Sequence, residues 1–423
     1  MRLTRREFIK WVSASAGLGA LPGCASLTGA GGPRVVVVGG GYAGATCAKY
    51  IRKWGPNIEV VLIERNAEFI SCPLSNLVLG GNTTLCALTV GYQGLSKYGV
   101  KMLNDEVVAV DAQERRVQLA RGFSLSYDRL IIAPGIHFMY EQIPGLSNPE
   151  AQQKVLHAWK AGTQTMALRN QLEAMPDGGV YALCIPKSPY RCPPGPYERA
   201  CQVAFYFKQA KPRSKVLILD ANDDVQSKKG LFTKAWKERY AGIVEYRPNS
   251  ILVDVDAAAL TARLEFENVS ADVLNVIPPQ RAGNIAQAAG LVTANDRWCG
   301  VDFLTYESAA QKNIHVLGDA IVGAPAMPKS GHMANQQAKV CAAAVAALLN
   351  EQPVNSQPMM NNTCYSFVSG SEAMHVASVH RYDAAKKTML VVEGSTGLST
   401  TPTELEGQYA WGWARNIWAD MLA

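Results

Sequence analysis

Arg34-Val35-Val36-Val37-Val38-Gly39-Gly40-Gly41-Tyr42-Ala43-Gly44 is the stretch that decides the fold. Four consecutive valines suit a parallel strand buried on both faces. The run passes directly into a Gly39-x-Gly41-x-x-Gly44 turn and then into the helix-forming stretch 45–54. In such a turn the first glycine makes the bend. The second lets the backbone approach a pyrophosphate, and the third lets helix and strand close up. The helix N-terminus then offers unpaired N–H groups and a positive dipole end to the phosphates. A second strand, Glu59–Ile63, ends at Glu64, one βαβ unit beyond Gly39 and placed to hold ribose hydroxyls. The candidate dinucleotide contacts in this half are Gly39, Gly41, Tyr42, Ala43, Gly44, Glu64, Arg65 and Val107.

Later segments favour FAD over NAD as the ligand. A strand over 128–132 meets the tight turn Ala133-Pro134-Gly135, which resembles the link between the two domains of two-dinucleotide-domain flavoproteins. His315-Val316-Leu317-Gly318-Asp319-Ala320 is a strand ending at an acid, the pattern that binds a ribityl chain in those proteins. Ala133, Gly318 and Asp319 therefore join the candidate FAD contacts. The helix expected over Gly331–Leu349 can aim its N-terminus at the flavin pyrimidine and stabilise negative charge there. The middle of the chain has strands at Val180–Ile185 and Lys215–Asp220, but neither enters a glycine turn. The first leads into Pro186-Lys187-Ser188-Pro189-Tyr190-Arg191-Cys192-Pro193-Pro194-Gly195-Pro196, whose prolines cannot donate the N–H groups a pyrophosphate needs. The second leads into Ala221-Asn222-Asp223-Asp224, whose acids repel phosphate. NADH is not expected as the electron source.

The expected architecture is α/β, with two dinucleotide-binding-like (Rossmann) domains and a C-terminal α+β domain. The blocks are 31–145 and 271–355 for the two parts of the FAD domain, 146–270 for the middle domain and 356–423 for the C-terminal domain. That last block reads as strands over 375–381 and 388–393 and a Trp-rich terminal helix, reached through a polar linker over 350–362. With 423 residues, 48% hydrophobic and 18% charged, the chain is an ordinary multidomain globular protein rather than a fibre or a disordered chain. Four of its 41 bases and one of its 35 acids lie in residues 1–30, so the rest of the chain carries a balance of only +3. That is no nucleic-acid footprint.

Residues 1–30 read as a removable leader. Thr4-Arg5-Arg6-Glu7-Phe8-Ile9-Lys10 precedes a weakly apolar, small-residue stretch over 11–22, too short and glycine-rich for a transmembrane span. Paired arginines with Phe two residues on point to the twin-arginine route, which exports folded, cofactor-loaded proteins to the periplasm. Leu21-Pro22-Gly23-Cys24 also looks like a lipoprotein box, so cleavage before Cys24 is the alternative to cleavage after Ala30.

The ten cysteines contain no CxxC or CxxCH, and there is no His cluster, so no metal or covalent haem site is expected on this chain. Cys47 and Cys341 fall in packing helices and Cys184 in a buried strand, where cysteine acts as a small apolar residue. Cys192 differs: it sits in the proline-stiffened loop ahead of a helix expected over 197–208, with Glu198 in its first turn able to serve a thiol as acid or base. Cys364 lies just after the linker, and Cys72, in Phe69-Ile70-Ser71-Cys72-Pro73, follows Glu64 closely enough to approach the benzenoid end of an extended FAD. Taken alone, these three also fit unrelated structural cysteines.

VVVVGGGYAGATCAKYIRKW, FISCPLSNLVLGG, YRCPPGPYERACQ, HVLGDA, NNTCYS and the terminal GWARNIWADMLA together resemble the flavoprotein subunit of flavocytochrome c sulfide dehydrogenase, a relative of sulfide:quinone reductases in the disulfide reductase superfamily. The resemblance runs from Arg34 to the end of the chain. It implies FAD bound by a thioether at Cys72, a redox disulfide joining Cys192 to Cys364, and a c-type cytochrome partner carrying the haem. On that reading the protein oxidises hydrogen sulfide to zero-valent sulfur or polysulfide. Two rivals stand beside it. A membrane-associated sulfide:quinone oxidoreductase would use the Trp-rich tail over 408–423 at a bilayer, and a non-catalytic flavoprotein would reactivate a sulfur-oxidation complex.

Overall fold

The structure is a computed structural model and describes residues 32–423. The leader, its twin-arginine motif and Cys24 lie outside the described residues.

The valine run forms the centre of a five-stranded parallel sheet. Arg34–Val38 pairs in register with Glu59–Ile63 on one side and Arg129–Ile132 on the other. Val100–Leu103 and Ile314–Val316 complete the two edges. Val35, Val36 and Val37 are fully buried, as a central parallel strand requires. The helices Tyr42–Trp54 and Gly331–Leu349 pack against each other and share one apolar core with the sheet. One sheet is thus closed by segments from both ends of the chain.

Between them lies a second parallel sheet, ordered Val244–Arg247, Lys215–Asp220, Val180–Ile185, Val273–Val276. Its last strand carries the middle domain past the boundary at 270 expected from sequence, because that edge strand, buried along its whole length, pairs with Val180–Ile185. The chain enters and leaves the middle domain through paired strands, Ile136–Phe138 against Gln280–Ala282.

The C-terminal domain is an antiparallel sheet of Met359–Phe367, Ala373–Asp383 and Thr388–Val391, with Gly397–Leu398 also paired to the long strand. The helix Glu404–Leu422 follows, packing on that sheet and on Tyr42–Trp54. Met359–Phe367 starts inside the segment expected to be a linker. Its polar residues hide a strand whose buried Asn362 accepts from Ser330 Oγ at 2.7 Å, so tertiary contacts override local propensity. No helix among the described residues is long and apolar enough to cross a membrane. No metal-binding cluster occurs among them either.

Candidate functional site

The three glycines of the first turn each meet a different constraint. Gly39 has φ +97, and a methyl group there would lie 2.4 Å from the Ala133 carbonyl oxygen. At Gly44 it would lie 1.8 Å from the Gly39 carbonyl oxygen, so the side chain must be absent for helix and strand to close. At Gly41 it would meet nothing within 4 Å, because that position faces open space. Bend, close packing and ligand approach are thus separate jobs, as the sequence pattern requires.

Glu64 stands at the end of its strand, accepting from the Gly40 N–H at 2.7 Å and the Asn66 N–H at 2.8 Å. Arg65 turns outward to Glu106 at 3.0 Å. Val107 is buried at the start of Val107–Asp111.

These residues line one end of a cavity of roughly 840 Å³. It runs past Tyr42, Ala43, Ala133, Gly318 and Asp319 to Cys72, Cys192, Glu198, Cys364 and Trp413. Every candidate site residue named from the sequence borders it except Gly44, whose place is the helix–strand contact behind it. Tyr42 is fixed at the wall by Ser71 Oγ at 2.7 Å and the Trp418 indole N–H at 3.2 Å. Asp319 is half-buried, with its Oδ1 atom fully buried and lacking any partner, and desolvation raises its carboxyl pKa. A buried acceptor left open toward a cavity calls for a ligand donor, which a ribityl hydroxyl supplies. The helix Gly331–Leu349, capped by Ser330 accepting from the Met333 N–H, presents its N-terminus to the same cavity. Glycine turn, ribose acid, orphaned Asp319 and helix end together fit an extended FAD.

At the far end the structure brings the two distant cysteines together. Cys192 occupies a left-handed conformation, φ +57, a strained state for a side chain larger than glycine's that clusters at functional sites. Its N–H donates to the Lys329 carbonyl at 2.8 Å, and its own carbonyl accepts from the Gly195 N–H at 2.9 Å at the opening of the helix Gly195–Ala210. Cys364 comes from the C-terminal sheet, and the two free thiols line the same end of the cavity, close enough for each to shift the other's titration. That closeness lowers the Cys364 pKa, aided by the Lys228 ammonium, and raises that of Cys192.

Glu198 joins the same two elements. One carboxylate oxygen accepts from the Phe367 N–H at 2.8 Å, on the strand of Cys364, and the other from Asn76 Nδ2 at 2.8 Å. Burial pushes its pKa up to about 7. Cys72 lines the cavity too, 3.4 Å from Arg191 Nη2 and 3.4 Å from the Ala161 N–H.

Sequence reasoning missed four groups here. Arg191 is next to Cys192 in the chain, which was the available signal. Arg199, one residue after Glu198, is fully buried, binding the carbonyls of His157 and Ala158 and the side chains of Asn76 and Asn275. Lys160, whose pKa burial lowers to about 8, lines the cavity beside them. Lys228 sits in Gln226-Ser227-Lys228-Lys229, a stretch that reads as ordinary surface. Cys47, Cys341 and Cys184 are buried as expected. In the middle domain, side chains bond one another at the ends of the strands Val180–Ile185 and Lys215–Asp220. Tyr197 and Tyr246 hydroxyls bond Asp220 at 2.7 and 3.1 Å, and Asn222 accepts from the Ser188 N–H at 2.9 Å.

Three family models match parts of the chain. Residues 33–175 match pyridine nucleotide-disulphide oxidoreductase, and 165–278 match the central part of the sulfide dehydrogenase [flavocytochrome c] flavoprotein chain. Residues 356–422 match the flavin-binding part of flavocytochrome c sulphide dehydrogenase. The flavoprotein chain of that enzyme from Chlorobaculum thiosulfatiphilum is 56% identical over 48 residues, 11% of this chain and 100% of that sequence. The chain belongs to the flavocytochrome c sulfide dehydrogenase flavoprotein family. Mitochondrial sulfide:quinone oxidoreductase from Mus musculus is a more distant relative, 24% identical over 295 residues. That match takes in 67% of this chain and 65% of the mouse protein's length. The sulfide:quinone oxidoreductase of Aquifex aeolicus shares the fold, with a TM-score of 0.75 at 16% identity over 92% of this chain and 91% of that one.

Proposed function

We propose that this flavoprotein is the periplasmic FAD subunit of a sulfide dehydrogenase, oxidising hydrogen sulfide to zero-valent sulfur or polysulfide and passing electrons to a c-type cytochrome subunit that carries the haem. The observation that supports it most is the meeting of Cys192 and Cys364 at the end of the cavity that fits FAD. Oxidised, this pair is a disulfide between stiff elements, more reducible than a structural one. Hydrosulfide attacks it, one cysteine becomes a persulfide and the other leaves as thiolate. Glu198, titrating near neutrality, exchanges the proton at its carboxylate as the thiols change charge. Arg199 and Asn76 hold that helix and its carboxylate in place. FAD, when bound, supplies an acceptor that takes an electron pair and releases electrons singly. Cys72, whose thiol lies in the same cavity, is the residue that anchors the flavin through a thioether.

A quinone-linked reading draws on the terminal helix, where Leu405 and Tyr409 are exposed apolar side chains that would suit a bilayer surface. Turnover of the purified holoprotein with sulfide separates the two. Reduction of added cytochrome c without any quinone is the expected result, and reduction of a soluble quinone with cytochrome c untouched would overturn it.

A further inference from the structure

Lys228 is a buried cation that none of these steps uses. It is 6% exposed and adopts φ +55, immediately ahead of the helix Lys229–Arg239. Its Nζ donates to the Cys364 carbonyl at 2.7 Å and to Ser366 Oγ at 2.8 Å. Both acceptors are neutral, and no carboxylate stands within ion-pair distance of Nζ among the described residues. An ammonium taken out of water with only neutral partners is costly, and a lysine that must also adopt a left-handed backbone conformation adds to that cost. Such a placement becomes favourable when negative charge forms beside it.

The groups whose charge bears on Lys228 are Cys364, Glu198 and Cys192, with Glu406 of the terminal helix farther off. Glu198 has both oxygens engaged, by Phe367 and Asn76. On the remaining neighbouring helix, His332 accepts the Thr363 N–H on a ring nitrogen, so that nitrogen carries no proton. Negative charge arising at Cys364 therefore has one buried cation on its own strand's hydrogen-bond frame, and it is Lys228.

We propose that Lys228 is a positioning residue for the sulfur chemistry: it fixes the Cys364 segment through the Cys364 carbonyl and holds the charge that lands on the Cys364 sulfur when the cysteine pair opens. The inference rests on the sulfide reading and deepens it by giving the exchange a direction. Hydrosulfide sulfur bonds to Cys192 Sγ, the Cys192–Cys364 bond breaks, and its electron pair stays on Cys364 Sγ as thiolate. The hydrosulfide proton remains with the new persulfide. The charge that entered on hydrosulfide thus ends beside Lys228.

The test reads thiol chemistry in the full FAD-loaded protein, reduced anaerobically. Alkylation of Cys364 by iodoacetamide is followed by peptide mass spectrometry from pH 5 to 9 in wild type, Lys228→Arg, Lys228→Gln and Lys228→Met. Lys228→Gln keeps a donor for the Cys364 carbonyl and removes the charge. In Lys228→Gln and Lys228→Met the half-maximal pH should rise by one unit or more, cutting the rate at pH 5, below both midpoints, about tenfold or more, while Lys228→Arg stays within about threefold of wild type. A Gln profile that superimposes on wild type would overturn the inference, because hydrogen bonding alone would then explain Lys228. Failure of both uncharged variants to fold would do the same, making the residue structural. Bleaching of the wild-type flavin by sulfide in the same preparation tests the parent reading separately. Its absence sinks the sulfide activity, whereas an unshifted Cys364 profile sinks only the role of Lys228.

Discussion

Cys72, Cys192, Cys364 and Glu198 are four side chains from three separate stretches of sequence, and each has a consequence at its own position. Cys72 lies in the cavity next to Arg191 and forms no part of the apolar core, so its loss should leave the fold intact. Cys72→Ala is expected to bind FAD reversibly and release all of it on acid precipitation, whereas wild type retains flavin on the denatured chain. Complete release from wild type would disprove the thioether. Glu198 gives a pH signature. Its folded pKa is raised to about 7, so it is protonated below neutrality and ionised above it. The kcat/KM profile of wild type should bend near pH 7, and Glu198→Gln should lose that bend while turning over more slowly. A bend of the same size in the variant would move the titration to another group.

At the scale of elements, the glycine turn was legible because its constraints are local: a strand, a bend and a helix leave a pattern of residues that the chain itself displays. The structure separates what the pattern merges. Gly44→Ala puts a methyl group 1.8 Å from the Gly39 carbonyl and should destabilise the apoprotein by about 1–3 kcal/mol or more, read as a lower thermal midpoint. Gly41→Val places its side chain in open cavity and should leave the apoprotein midpoint nearly unchanged while weakening FAD at least tenfold, about 1.4 kcal/mol. Equal effects of the two on apoprotein stability would contradict the division of roles.

The helix Gly331–Leu349 was readable to its ends, and the structure adds the Ser330 cap that starts it. Met359–Phe367 was not, because its polar residues are satisfied by partners far away in sequence, and only pairing with Ala373–Asp383 makes it a strand. Lys228 was hidden for the same reason: a lysine's burial depends on what folds over it, and nothing in its neighbours in the chain reports that.

For the whole molecule, two parallel sheets place the flavin cavity where the ends of the chain and the middle domain converge. The position of Cys192 against Cys364 is a product of that convergence. Neither cysteine's local sequence contains the other, so their pairing came from resemblance, and their closeness from three-dimensional packing. In the middle domain Tyr197, Asp220 and Asn222 bond one another and the chain around the strand ends of its parallel sheet. Micromolar NADH should therefore fail to bleach the flavin band within minutes, and rapid bleaching would show a nicotinamide site after all.

The central claim is that electrons from sulfide reach the flavin through the Cys192–Cys364 pair. Anaerobic addition of one equivalent of sulfide to the FAD-loaded protein, followed in the flavin absorbance band, tests it most directly. The wild-type band should bleach, while Cys192→Ser and Cys364→Ser, with flavin bound and fold retained, should stay oxidised. Bleaching of either serine variant at the wild-type rate would contradict the account and leave direct attack of sulfide on the flavin in its place.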